Sequence, residues 1–402
     1  MGVVSPRGTG TPAFAEALTA GRSGVRRLEM ETPRPLATRI GAPVAGFDAA
    51  SRFPAARSRM LDRVSQLALT AANEAVASSC GALEGADPTA GGVFVGTGMG
   101  GAQSTDDNYR TLYAEQSDRV KPFSVLLAMS NAPCAWIALE HGLSGPSISY
   151  SSACASSAVA IGEAYRRVAS GECVVAIAGG AEAPLTFGTI RAWEALRTLA
   201  AEDPADPSAS CKPFARDRSG LVLGEGAAML VLEDRERALA RGASIVAEIV
   251  GYGVCTDTSH ITRPSVAAQA RAMRLALEGA GLDPAQVGYV NAHGTGTEAN
   301  DGVETAAIRE ALGSHAGRTP VSSTKSMHGH LLGAAGAMEL VAALLALRSH
   351  VLPPTMHLAN PDPACDLDYV ANASRRVSPF EAVLSNSFAF GGTNAVLAAR
   401  LS

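Results

Sequence analysis

Apolar runs short enough for strands alternate along this chain with longer stretches whose apolar positions recur at three- and four-residue spacing. The runs "VFVGTG" (93 to 98), "VVAIAGG" (174 to 180), "AMLVLE" (228 to 233), "VAEIVGYG" (246 to 253), "YVNAHG" (289 to 294) and "AVLSNSF" (382 to 388) read as strands. Residues 58 to 78, 154 to 169, 266 to 280, 301 to 312 and 330 to 349 carry the helical period. This alternation predicts an α/β fold whose sheets are covered by helices. No low-complexity linker divides the chain, and the Pro- and Asp-rich segment 201 to 220 reads as a surface loop. A weak division near residue 240, after "LEDRERALARG", leaves two halves, each with its own strand-helix series but without a residue-level repeat.

Composition sharpens the expected interior. With 47% apolar residues, only 5% aromatics and 41 glycines, the core is expected to be filled by small side chains that let helices and strands approach closely. The net charge is -5 and the Lys and Arg are scattered, so no basic stripe is available to neutralise a nucleic-acid backbone. The seven cysteines are odd in number and never form a C-x-x-C pair, which argues against a disulfide framework or a structural zinc site and for a reducing cytoplasm. The start "MGVVSPRGTG" lacks the charged and apolar regions of a secretory signal. The run "LLGAAGAMELVAALLAL" (331 to 347) has about the length of a membrane span but carries Glu339 at its centre, which would be costly in lipid. It is expected to be a buried helix of a soluble protein, with Glu339 in need of a partner.

Four segments carry candidate chemistry. In "SISYSSACASSAVAIGEAYRR" (147 to 167), Cys154 is placed at the first turn of a helix, where unpaired N-H groups and the helix dipole favour a thiolate. Free cysteine is also ordinarily a small core residue, so position alone leaves both readings open. His293 in "NAHGTGTEANDGVE" follows a strand and sits among glycines and the hydroxyls of Thr295 and Thr297; a loop histidine bonded to a carbonyl is the competing reading. In "SSTKSMHGHLLGAAGAMEL", Lys325, His328 and His330 fall within six residues. Glu339 lies nine residues past His330, two and a half turns, so the two do not meet, whereas Lys325 can fold back to neutralise the buried carboxylate. H-x-H offers two metal ligands, but no third follows at ligand spacing. Lastly, "SNSFAFGGTN" (385 to 394) ends a strand in a Gly-Gly turn whose N-H groups can point at an anion or simply reverse the chain. "GTGMGG" (96 to 101) matches G-x-G-x-x-G, but the polar "AQSTDDNYR" after it is a poor helix for a dinucleotide site.

Taken in order and at these separations, "SSACASS", "NAHGTGT", "SSTKSMHGHLLGAAGAME" and "NSFAFGGTN" resemble the β-ketoacyl-acyl-carrier-protein synthases of the synthase I/II type, over nearly the whole chain. "HGTGT", "KSMHGH" and "APLTFGTIRAWEALRTLA" are most similar to the rhizobial nodulation ketosynthase and to type II polyketide or polyene ketosynthases. The resemblance implies a thiolase-like fold, five layers αβαβα from two similar halves, here residues 1 to 240 and 241 to 402. It implies Cys154 as nucleophile, His293 and His330 as catalytic histidines, and Lys325 with Glu339 as a supporting pair. Phe390 matches the gating phenylalanine, whose N-H joins that of Cys154 in an oxyanion hole. Thr295, Thr297, Phe388 and Gly391 match the pantetheine side of the pocket, and Asp301 and Glu304 the acidic residues after the histidine loop. Thr105 stands where fatty-acid enzymes place a bulky aliphatic residue, which implies a wider or more polar acyl pocket.

The implied reaction joins an acyl chain on Cys154 to malonyl-carrier protein with loss of CO2, without bound metal or nucleotide cofactor. The implied partners are an acyl carrier protein and a second subunit, either a copy or a chain-length factor. A housekeeping fatty-acid synthase II, a non-catalytic chain-length partner, a degradative thiolase and a nicotinamide oxidoreductase are the competing readings. The family opens with an apolar strand ahead of "GVVSP", so the N-terminal edge departs from the pattern.

Overall fold

The computed structural model describes residues 1–401. Two mixed sheets carry the fold. The first contains β1 (Gly2–Ser5), β2 (Gly8–Thr9), β3 (Gly91–Gly96), β4 (Ser147–Tyr150), β5 (Val175–Glu182) and β6 (Gly226–Glu233), in the order β2-β1-β6-β5-β3-β4. The second contains β7 (Glu248–Thr256), β8 (Val287–Asn291), β9 (Val321–Ser322), β10 (Ala382–Phe388) and β11 (Thr393–Arg400), in the order β9-β8-β10-β11-β7. Starting from β4 in one sheet and β9 in the other, two parallel pairings are followed by two antiparallel ones, and the strands come in the same chain order. The repeat is one of topology. Pairing direction is set by backbone connections and requires apolar strands rather than identical residues, so it left no residue-level repeat to read.

Among the helices that cover and separate these sheets are α1 (Arg63–Ser78), α2 (Ala102–Tyr109), α3 (Ser156–Ala169), α4 (Phe187–Leu196), α5 (Val266–Ala280), α6 (Glu298–Leu312) and α7 (Ala335–Ser349). Helix α1 packs on β1, β5 and β6, and α5 packs on β7 and β11 with α6 beside it. Helices α3 and α7 lie between the sheets and against each other, which makes the five layers expected. Burial explains why α7 is apolar on every side: residues 335 to 344 are all buried, Glu339 among them. The glycine count is also explained, because a Cβ on Gly96 would lie 2.2 Å from the Ser157 nitrogen and one on Gly336 2.8 Å from the Ala158 Cβ.

Several boundaries differ from the sequence reading. Helix α1 starts at Arg63 rather than at residue 58, because the Asp62 carboxylate accepts from the Val64 N-H and caps it. Its other oxygen accepts from the Ser104 N-H and ties α1 to α2. That second helix was not expected: the polar segment after "GTGMGG" is helical over Ala102–Tyr109. The last helix begins at Ala335, after a short 3₁₀ turn over Leu332–Ala334.

Candidate active site

Both central helices bring their leading loops to one place between the sheets. On the first side, the chain leaves β4 at Tyr150, Ala153 takes a φ of 45°, and α3 begins only at Ser156. Cys154 therefore sits in a strained elbow before the helix rather than in its first turn. Ser156 secures the elbow, donating from Oγ to the Ala153 carbonyl (2.6 Å) and accepting from the Ser152 N-H (2.8 Å). The Cys154 side chain is buried, and burial pushes its thiol up to about 12 against the pull of Lys325 and the Phe390 N-H. The helix-start argument for a resting thiolate is thus corrected: removal from water outweighs the nearby positive groups.

The second side supplies the histidines. His330 Nε2 lies 3.0 Å from the Cys154 sulfur, and the Leu332 N-H donates to His330 Nδ1 at 3.3 Å. An acceptor at Nδ1 places the ring proton on Nε2, facing the sulfur. His293 is fixed in the same way: Lys325 Nζ approaches its Nδ1 at 3.3 Å, which leaves the proton on Nε2. Lys325 also donates to the His293 carbonyl (2.5 Å) and to the Glu339 carboxylate, so its three protons have three acceptors. Burial, followed by the Lys325 ammonium, holds both imidazoles well below the usual histidine range, so both are neutral. Burial pushes the Glu339 carboxyl up while Lys325 pulls it down.

The Cys154, His293 and His330 ligand atoms all lie within 4.8 Å of one another. A cation among them would have to displace the proton from each Nε2 and sit beside the Lys325 ammonium, so the donor set does not suit a metal. The His293 loop is held by buried acids. Glu304 accepts from the His293 and Gly294 N-H groups, both at 2.7 Å, and from Asn300 and Asn386. Asp301 accepts from the Phe214 N-H at 2.8 Å and from Gly296 at 3.3 Å, and burial raises it to about 6. Thr295 and Thr297 share a 2.8 Å hydrogen bond, and Thr297 also caps α6 by accepting from the Asn300 N-H.

In the Gly-Gly turn most N-H groups are spent on the protein. Gly391 donates to the Ile261 carbonyl (2.8 Å), Gly392 to Ala389 and Ala389 to Thr393, whereas the Phe390 N-H is directed at the Cys154 sulfur. Only that one amide fits the anion-facing role expected of the turn. The Phe390 ring stacks on Trp193 of α4 with centroids 6.0 Å apart and planes at 23°, and Phe388 meets His293 edge to face at 5.9 Å.

Cys154, both histidines, Thr295, Thr297, Phe388 and Phe390 line one narrow cavity of about 60 Å³ with Trp193 and the segment Asp257 to Pro264. Gly391 is not on its wall; Gly392 is. Thr105 is also absent from this wall; it lies on α2, where its hydroxyl donates to the Gly101 carbonyl (3.0 Å). "GTGMGG" is not free to hold a pyrophosphate: its Gly98 and Met99 N-H groups, with Gly333, donate to the buried Glu182 carboxylate. Glu182 and Trp193 were missed by the sequence reading. The acid at the end of an apolar strand in "GGAEAP" was the available signal, since it must find partners once buried.

Comparison with known proteins agrees over the whole chain. Residues 1–238 match the β-ketoacyl synthase N-terminal domain and residues 246–359 the C-terminal domain. Nodulation protein E of Rhizobium meliloti (strain 1021) is 40% identical over 99% of this chain and 97% of its own length. The 3-oxoacyl-[acyl-carrier-protein] synthase 2 of Synechocystis sp. is 39% identical over 99% of this chain and 96% of that protein. Among solved structures, a β-ketoacyl synthase from Burkholderia phymatum STM815 superposes with a TM-score of 0.92 at 38% identity, covering 100% of this chain and 98% of that one. The ishigamide ketosynthase/chain length factor gives 0.92 at 32%, covering 100% and 97%.

Proposed function

The chain belongs to the β-ketoacyl synthase family of condensing acyltransferases, and from that premise we propose that it joins an acyl chain on Cys154 to malonyl-acyl-carrier protein in specialised lipid or polyketide synthesis. The observation that carries the reading is the 3.0 Å contact of Cys154 with His330 Nε2, beside a second neutral imidazole. The Cys154 sulfur attacks the acyl-carrier thioester, and the thiol proton ends on the departing pantetheine sulfur. The N-H groups of Cys154 and Phe390 hold the oxyanion, each worth about 3 kcal/mol of barrier in comparable acyl transfers. Malonyl-carrier protein then loses CO2, with the Nε2-H groups of His293 and His330 donating to the enolate oxygen. The carbanion attacks the acyl-Cys154 carbonyl, the 3-oxoacyl product leaves on its carrier, and the released thiolate takes up one proton.

Lys325, Glu339, Asp301 and Glu304 act in this scheme by holding the histidine loops, and the halves 1 to 240 and 241 to 402 supply nucleophile and histidines respectively. A cavity of about 60 Å³ holds a few waters but no acyl chain, so part of its wall has to move when substrate enters. A solved relative is described as a type II polyketide ketosynthase in complex with its acyl-carrier protein, and another as a ketosynthase/chain length factor; these support a carrier protein and a second subunit as partners here. Incubation with a panel of acyl-carrier thioesters should add one acyl mass to the wild type and none to Cys154→Ala, with product formed only when malonyl-carrier protein follows. An Ala variant that still elongates would sink the proposal.

A further inference from the structure

His328 is fully buried and makes two hydrogen bonds, neither to a group in the scheme above. Its Nδ1 lies 2.8 Å from the Gly329 carbonyl and its Nε2 2.9 Å from the Thr324 hydroxyl. A carbonyl only accepts, so Nδ1 carries the proton and Nε2 accepts from Thr324. These two contacts fall one residue before His330 and one residue before Lys325. The Gly329 carbonyl and the His330 N-H belong to the same peptide plane, and that N-H donates to the Val222 carbonyl at 2.7 Å. The plane is therefore pinned at both ends, by Val222 on one side and His328 on the other. The residue before it is a glycine at a φ of 70°, and without a Cβ its backbone is less restrained than that of any other residue. The other ring nitrogen joins a buried polar chain, Thr324 to Asn291 at 3.5 Å, Asn291 to Tyr289 at 3.3 Å and Tyr289 to Ser322 at 2.6 Å, anchored on β8 and β9.

We propose that His328 is a positioning residue: one imidazole holds the His330 peptide against the Cys154 sulfur and ties it to the turn that carries Lys325. Burial pushes its pKa down to about 3, so the neutral ring keeps both hydrogen bonds across the working pH range. The inference rests on the condensing role proposed for Cys154 and His330, and its test has a readout that needs no substrate.

The test compares His328→Asn, His328→Gln and His328→Ala. Asn keeps a donor at the position of Nδ1, whereas Gln places its amide at the position of Nε2. Two rates are measured on each folded variant: alkylation of Cys154 by iodoacetamide, read by intact mass, and decarboxylation of malonyl-carrier protein, with kcat and KM separated. The expected result is that Ala and Gln slow alkylation at least fivefold and lower kcat at least tenfold with KM unchanged, while Asn, which keeps the Gly329 contact and loses only the Thr324 one, falls between Gln and wild type in both. Where Ala does not fold, the Asn and Gln pair decides. Equal rates for Asn and Gln, or a folded Ala variant within twofold of wild type, would overturn the proposal. A wild type that is alkylated normally but never decarboxylates malonyl-carrier protein would instead count against the condensing function.

Discussion

Cys154 is held out of water between the two sheets. Its burial raises the thiol to about 12, so below that value the thiolate fraction grows about tenfold per pH unit. Iodoacetamide alkylation of Cys154 is accordingly expected to climb about tenfold per unit from pH 7 to pH 9; a plateau beginning near pH 7 would mean that the resting enzyme already holds a thiolate. The pairing of Lys325 with Glu339 was legible in the sequence because a carboxylate in an apolar helix demands a cation. The proton positions on His293 and His330 were not, since one follows from a lysine head group thirty-two residues away and the other from a local turn that brings the Leu332 N-H back onto His330. Glu182 was hidden for a related reason: its partners are three backbone N-H groups and the Thr97 hydroxyl, and an amide donor has no residue signature.

At the level of elements, period and turn residues placed every strand and helix named in the sequence reading to within a few residues, and left others unnamed, β11, α4 and α2 among them. Helix α2 shows the difference, for its sequence is polar and it is held by Asp62 from α1 and by Asp106 reaching the Gly188 N-H of α4. Helices α3 and α7 cross closely, and a Cβ on Gly336 would lie 2.8 Å from the Ala158 Cβ and 2.7 Å from the Ser387 hydroxyl of β10. A valine there has no room, and the overpacking should destabilise by about 1–3 kcal/mol. Gly279 near the end of α5 has open space around its α-carbon, so alanine there should stabilise by up to about 1 kcal/mol. Urea midpoints of Gly336→Val and Gly279→Ala are expected to move in opposite directions; a Gly336→Val midpoint equal to wild type would show that the two central helices can separate at little cost.

Across the whole molecule, one face remains unexplained by a single chain. Strand β4 ends its sheet with a free edge, and Tyr113, Val125, Leu126 and Leu139 expose apolar side chains, Tyr113 at 77% and Val125 at 73%. Exposed edges and apolar patches of this kind are ordinarily covered by a partner. A second copy related by a twofold axis would bring the two β4 edges together, because such an interface presents the same patch from both sides. Cys154 lies four residues beyond the end of β4, so whatever fixes that edge also steadies the elbow that holds the nucleophile. Wild-type protein at micromolar concentration is therefore expected to sediment with about twice the 41.0 kDa mass of one chain. If a second copy covers this face, Val125→Asp combined with Leu126→Asp would set like charges against each other there and should reduce the particle to one chain, with acylation of Cys154 falling in parallel. A double variant that remains paired would exclude this face as the interface, and one that becomes single yet acylates at the wild-type rate would show that the elbow stands without the partner.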